Sequence, residues 1–141
     1  MDKFNRLFQK STENTTCQLY NEMSRLVRLY ASNLLKPEVI KAAGNDLSKL
    51  CLADSGQLLD ENLGIGDGTW VLIAELEEEL DTMPFYRAIR TFYVATIQKM
   101  LKKFPFGDSL LKDLGIINPE STCSYEFSTV KTLAKRFPQL G

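Results

Sequence analysis

The chain has 141 residues, 44% of them hydrophobic and 25% charged, with 17 basic against 18 acidic side chains and a net charge of -1. Such a length and apolar content predict one domain that buries about two-thirds of its unfolded surface, and the charge balance excludes a global electrostatic pull toward nucleic acid, so any such contact needs a local patch. Histidine is absent, which removes Ser-His-Asp and Cys-His nucleophile activation, the commonest general base and the commonest metal ligand.

Helical signals dominate in chain order. Asp2 to Gln9 sets Phe4, Leu7 and Phe8 on one side, and the polar stretch Ser11-Thr12-Glu13-Asn14-Thr15-Thr16 follows. From about residue 13 to 35 the stripe Leu19, Tyr20, Met23, Leu26, Val27, Tyr30 and Leu34 predicts a long amphipathic helix, with Glu22, Arg25 and Arg28 outside it. Lys36-Pro37-Glu38 breaks that helix, because the residue before proline avoids helical geometry while proline suits the first position of a new one. A short helix from Pro37 to about Ala43 is expected, closed by Gly44 and Asn45. Asp46 to Gly68 scatters Leu47, Leu50, Leu52, Leu58, Leu59, Leu63 and Ile65 among acidic and glycine residues, and reads as a partly packed connector.

Asp67 or Thr69 is placed to cap the next helix, which carries Trp70, Val71, Ile73, Ala74 and Leu76 before the acidic run Glu77-Glu78-Glu79. A second long amphipathic helix is predicted over about 84–104. Its apolar positions are Phe85, Ile89, Phe92, Tyr93, Ile97, Met100, Leu101 and Phe104, with Arg87, Arg90, Gln98, Lys99, Lys102 and Lys103 on the other face. Pro105 and Gly107 end it. Asp108 or Ser109 then caps a turn holding Leu110, Leu111 and Leu114 that Gly115 closes, and a last helix covers about Phe127 to Phe137 before Pro138 stops it. No repeat and no alternating run proposes a sheet, so the expected class is all-α, irregular, with two long helices and several short ones.

No apolar run approaches the roughly 18 residues of a membrane span, and the start of the chain is amphipathic rather than signal-like, so the expectation is a soluble intracellular protein. Cys17, Cys51 and Cys123 are odd in number and widely spaced, which suits reduced thiols, and no C-x-x-C pair suggests zinc. Gly64-Ile65-Gly66-Asp67-Gly68 before a helix resembles a phosphate-cradling loop, but it lacks a βαβ context and a following Gly-Lys-Ser/Thr, and reads as a turn. Glu75, Glu77, Glu78, Glu79 and Asp81 do not converge on one ion, since neighbouring helical residues diverge by about 100°. Lys99, Lys102, Lys103 and Lys112, or Lys131, Lys135 and Arg136, offer a local patch for phosphate, against the plainer reading of favourable charge near helix C-termini. Tyr20, Tyr30, Trp70 and Tyr93 fall within apolar stripes and read as packing or interface anchors rather than base-stacking residues.

An ordered series of segments carries a family resemblance. Phe8-Gln9, Leu34-Leu35-Lys36-Pro37-Glu38-Val39-Ile40, Leu63-Gly64-Ile65-Gly66, Phe85-Tyr86, Arg90-Thr91-Phe92-Tyr93, Lys102-Lys103-Phe104-Pro105-Phe106-Gly107-Asp108, Asn118-Pro119 and Arg136-Phe137-Pro138-Gln139-Leu140 span almost the whole chain. Together they resemble the central region of hobo/Activator-type (hAT) transposase-like proteins. The resemblance implies a helical insertion within a larger protein whose RNase H-like core holds metal ions on acidic residues, and it implies a nuclear location. No acidic residue here matches the family's catalytic positions, and the cysteine–histidine motif and the C-terminal dimerisation segment are missing. No catalytic residue, cofactor or metal ligand is therefore carried over.

Two-metal phosphoryl transfer needs carboxylates fixed around ions about 4 Å apart on a rigid scaffold, which an all-helical chain of this pattern does not offer. The sequence thus predicts a catalytically inactive, transposase-derived helical domain rather than an enzyme. The alternatives are a helical protein–protein adaptor unrelated to transposition, with self or another protein as partner, and a weak nucleic-acid-binding module using Lys99 to Lys112. No small-molecule substrate and no membrane partner are expected.

Overall fold

In the computed structural model of the protein, residues 16–76, 81–117 and 127–136 are described. Among them all regular structure is helical, with six α-helices, several short 3-10 turns and no strand beyond one isolated antiparallel bridge between Leu35 and Gln57. The all-α class follows. The described residues fall into two compact units, Leu26–Phe104 and the segments on either side of it. The expected helix over Asp2 to Gln9, the acidic run Glu77-Glu78-Glu79, the side chain of Cys17, Cys123, Asn118-Pro119 and the Phe137-Pro138 stop lie outside the described residues.

The unit Leu26–Phe104 begins within α1 (Thr16–Ser32). Leu26, Val27 and Ala31 are buried at helical spacing, so the predicted stripe is the buried face. The helix stops at Ser32, earlier than the sequence pattern suggested. Leu34 and Leu35, both almost fully buried, do not extend the helix. Instead the amides of Asn33 and Leu34 bond back to the Tyr30 and Ala31 carbonyls at 3.3 and 3.0 Å, which tightens the last turn. Lys36 then adopts an extended conformation ahead of Pro37, with φ -60° and ψ 143°.

Helix α2 (Pro37–Ala43) has Pro37 in its first turn and Gly44 at its end with φ 55°, a left-handed conformation that favours glycine. The stretch read as a partly packed connector is packed at some of its leucines, and it carries regular turns that the sequence pattern did not predict. It folds into three 3-10 turns, Leu47–Lys49, Asp54–Gly56 and Asp60–Asn62, and buries Leu47, Leu50 and Leu63. Each turn is only three residues long, too short to print a period on the sequence, so its leucines look scattered although they converge.

Helix α3 (Asp67–Leu76) starts at Gly66, whose carbonyl accepts from the Thr69 and Trp70 amides at 3.1 and 3.2 Å. Asp67 is thus the first helical residue and not the cap. Helix α4 (Met83–Lys103) is the 21-residue strut, with Pro84 in its first turn and the Asp81 carboxylate accepting from the Met83 amide at 3.1 Å. Tyr93 and Ile97 are its buried residues. The Tyr30 and Tyr93 rings meet edge to face at 6.2 Å, and the Tyr93 hydroxyl donates to the Gly64 carbonyl, so one tyrosine ties α4 to both α1 and the 60s loop. The predicted apolar arc of α4 is wider than its buried face. Phe85 and Phe92 lie outside the core, Phe92 at 56% exposure.

The other unit contains the start of α1, α5 (Ser109–Asp113), the 3-10 turn Leu114–Ile117 and α6 (Phe127–Arg136). Asp108 is the cap of α5: its carboxylate accepts from the Leu110 amide at 2.9 Å and from Arg136 Nη1 at 3.2 Å. Gly115 lies inside the 3-10 turn and is buried, so it continues the turn rather than closing it. Tyr20 packs edge to face on Phe106 at 5.9 Å.

Candidate functional site

Two features of the Leu26–Phe104 unit build a concave surface. On one side, Met83, Tyr86, Arg87, Arg90, Thr91, Val94, Ala95 and Gln98 recur at three- and four-residue spacing and so form one face of α4. On the other, the turns over residues 54–60 supply Asp54, Ser55, Leu58 and Leu59, with Lys36 beside them. The groove between them has a volume of about 770 Å3. From Met83 to Gln98 it follows α4 for about 22 Å at 1.5 Å per residue.

Backbone pairing sets the turn wall in place. The Lys36 amide donates to the Gly56 carbonyl at 3.0 Å and the Leu58 amide to the Leu34 carbonyl at 2.8 Å, on either side of the Leu35–Gln57 bridge. This holds Gln57 inward at 6% exposure. A buried amide needs partners for both ends, and Gln57 has them: Nε2 donates to the Leu52 carbonyl at 3.0 Å and to Asp54 Oδ1 at 3.2 Å, while Oε1 accepts from Arg90 Nη1 at 3.1 Å. Arg90 also donates from Nε and Nη2 to Asp60 Oδ1. The planar guanidinium fork reaches an amide and a carboxylate at once, which a lysine cannot do in this geometry. Arg90, Gln57 and Asp60 thereby lock the turns against α4 and form part of the groove lining.

The remaining charges of the lining differ from that locked set. Lys36 Nζ donates to the Ser55 carbonyl at 3.0 Å, a neutral acceptor. Arg87 is exposed and has no ion-pair partner among the described residues. Leu59 at 64% and Met83 at 61% exposure add apolar surface to the groove.

Sequence reasoning assigned Arg90 to a solvated face and gave Gln57 no role. A signal for Arg90 existed: it lies three residues before Tyr93 and seven before Ile97, on the side of α4 that those two bury. For Gln57 there was none, because its burial depends on the bridge to Leu35, which has no local signature. Among the proposed phosphate contacts, Lys99, Lys102 and Lys103 are exposed on the last turns of α4, whereas Lys112 is on α5 in the other unit. The Gly64 loop is a junction rather than an anion cradle, since its Gly64 amide donates to the Asn33 carbonyl at 2.9 Å and its Gly64 carbonyl is taken by Tyr93. Among the described residues no cluster of three acidic or cysteine side chains is grouped to hold a metal ion, and no helix is long and apolar enough to cross a membrane. In comparisons with protein families, curated proteins and solved structures, nothing matches this chain.

Proposed function

We propose that this chain is a helical protein-interaction module that carries out no strand transfer, of the insertion type that its resemblance to hAT transposase-like proteins implies, with a nuclear location by the same resemblance. The observation that supports the interaction role is the groove along α4, about 770 Å3 in volume, with the exposed apolar side chains of Leu59 and Met83 in its lining. Apolar surface gathered at a concavity beside a rigid helix is the usual form of a docking site for another chain. Val71 and Leu72 on α3 add further exposed apolar surface to the same unit.

The test compares partner capture by the wild-type chain with capture by the Leu59→Ser and Met83→Ser variants, whose exposed positions leave stability within about 0.5 kcal/mol of wild type. Partners retained by the wild type and lost by both variants are expected; a monomeric protein with no groove-dependent partner refutes the interaction role. The inactive role is tested separately by metal-dependent nicking of hairpin-ended DNA. Cleavage that disappears on substituting one carboxylate of this chain overturns it.

A second reading has its own support in Lys99, Lys102 and Lys103, three exposed cations within two turns of α4. It predicts DNA binding that falls steeply with added salt. Absence of binding at low ionic strength removes it.

A further inference from the structure

We infer that the groove along α4 takes an acidic, aliphatic peptide segment of a partner protein, with Arg87 and Lys36 as its charge anchors. This rests on the interaction-module reading and names the chemistry of its partner. The lining holds five charged side chains, Lys36, Arg87 and Arg90 against Asp54 and Asp60, which leaves it at +1. Asp60 is neutralised by Arg90, while Asp54 keeps its charge against the neutral Gln57 amide. Asp60 Oδ1 accepts from Arg90 and Asp54 Oδ1 accepts from the Gln57 amide. Lys36 and Arg87 are paired with no carboxylate among the described residues. Against Asp54, the one lining carboxylate without an ion-pair partner among the described residues, these two cations leave a net positive charge in a concave surface with low-dielectric walls, which focuses a positive potential there.

Shape selects the class of ligand. A groove about 22 Å long and open to solvent encloses no small molecule, but it matches an extended segment of about six or seven residues at 3.3 Å each. Leu59, Met83 and Val94 provide apolar contact along it, and the Thr91 and Gln98 side chains lie on the same wall. A basic or purely apolar peptide would leave Arg87 desolvated and uncompensated, a cost that discriminates against such partners.

The experiment displays a random dodecapeptide library to the full chain, then measures the selected peptides by fluorescence polarisation against wild type, Arg87→Glu, Arg87→Gln, Leu59→Ser and Lys102→Glu. Enriched peptides are expected to carry Asp or Glu beside aliphatic residues. Their affinity is expected to fall about tenfold or more in Arg87→Glu, less in Arg87→Gln, and to stay unchanged in Lys102→Glu, which lies outside the groove. The Arg87→Gln variant and a circular dichroism spectrum of each protein keep the result independent of folding. Peptides without a carboxylate, or acidic ones indifferent to Arg87, overturn the inference. If such peptides still need Leu59, the interaction-module reading survives; if no groove-dependent peptide is selected and no groove-dependent partner is captured, both fall.

Discussion

Replacing Gln57 by leucine separates the polar lock from simple packing, because leucine fills similar volume without a hydrogen bond. The native amide makes three: to the Leu52 carbonyl at 3.0 Å, to Asp54 at 3.2 Å and from Arg90 at 3.1 Å. A bond to a neutral group contributes about 1 kcal/mol and one to a charged group about 1.5 kcal/mol or more, so the gross loss is about 4 kcal/mol. Burial of the leucine side chain offsets about 1.5 kcal/mol of it, which leaves a net loss of about 2.5 kcal/mol. For an unfolding entropy of about 2.1 cal/mol/K per residue over this chain, the melting temperature falls by about 8 °C. With a urea m-value of about 1.5 kcal/mol/M, the midpoint falls by about 1.7 M at unchanged slope. Arg90→Leu completes a double-mutant cycle, and direct contact predicts a coupling of about 1 to 2 kcal/mol between the two positions. A Gln57→Leu loss below about 0.5 kcal/mol, or a coupling near zero, refutes the lock.

Gly64→Ala is expected to cost about 2 kcal/mol or more in urea unfolding, because a methyl there would lie 2.4 to 2.6 Å from the Asn33 side chain. Trimming Asn33 to alanine does not relieve this, since the Asn33 Cβ itself is 2.6 Å away; a double variant that recovers stability would show the overlap to be with the amide alone. Asp108→Ala removes the cap of α5 and is expected to cost about 1 kcal/mol, while Arg136→Ala removes only an exposed ion pair and costs less than about 0.5 kcal/mol by thermal unfolding. Equal losses would place the effect in the ion pair. The Asp46 carboxyl is held below the ordinary aspartate range, first by the Ser48 hydroxyl and next by the Lys49 ammonium. A depressed folded-state value means that its contribution is fully present above about pH 4, the unfolded range, and fades as pH falls through the lower folded value. An NMR titration that finds Asp46 at or above the ordinary range refutes this, and Asp46→Asn is expected to remove that part of the acid dependence.

How much of this was legible in the sequence depends on whether a feature is local. Pro37 and Gly44 bracket α2 because a fixed φ at one end and a left-handed residue at the other are properties of single residues. Asp108 was placed for the same reason, as a short acceptor one residue ahead of a helix. The 3-10 turns and the Leu35–Gln57 bridge were not legible, since their order comes from segments about 20 residues apart in sequence that meet only in the folded chain. Periodicity also inverted two neighbours on α4. It placed Phe92 inside and Arg90 outside, yet Phe92 is largely exposed and Arg90 sits on a buried amide. Hydrophobicity ranks side chains by their preference for water, and it says nothing of an arginine whose side-chain hydrogen bonds go to a distant turn.

That inversion bears on what α4 is for. A helix serving only as a strut needs one buried stripe and a polar remainder, and the last turns of α4 meet that description with Lys99, Lys102 and Lys103 exposed beyond Ile97. The earlier part does not. Phe85 and Phe92, seven residues apart and so within about 20° of the same direction, are exposed, and Met83 is exposed in the groove lining. The cations gather where the helix dipole already favours them, so their position needs no partner to explain it. Exposed apolar side chains gain nothing from the dipole and lose free energy in water; Met83 lies in the groove lining while Phe85 and Phe92 do not, so the face from Met83 to Gln98, and not the lysine-rich end, is the part of α4 on which the proposed binding role depends.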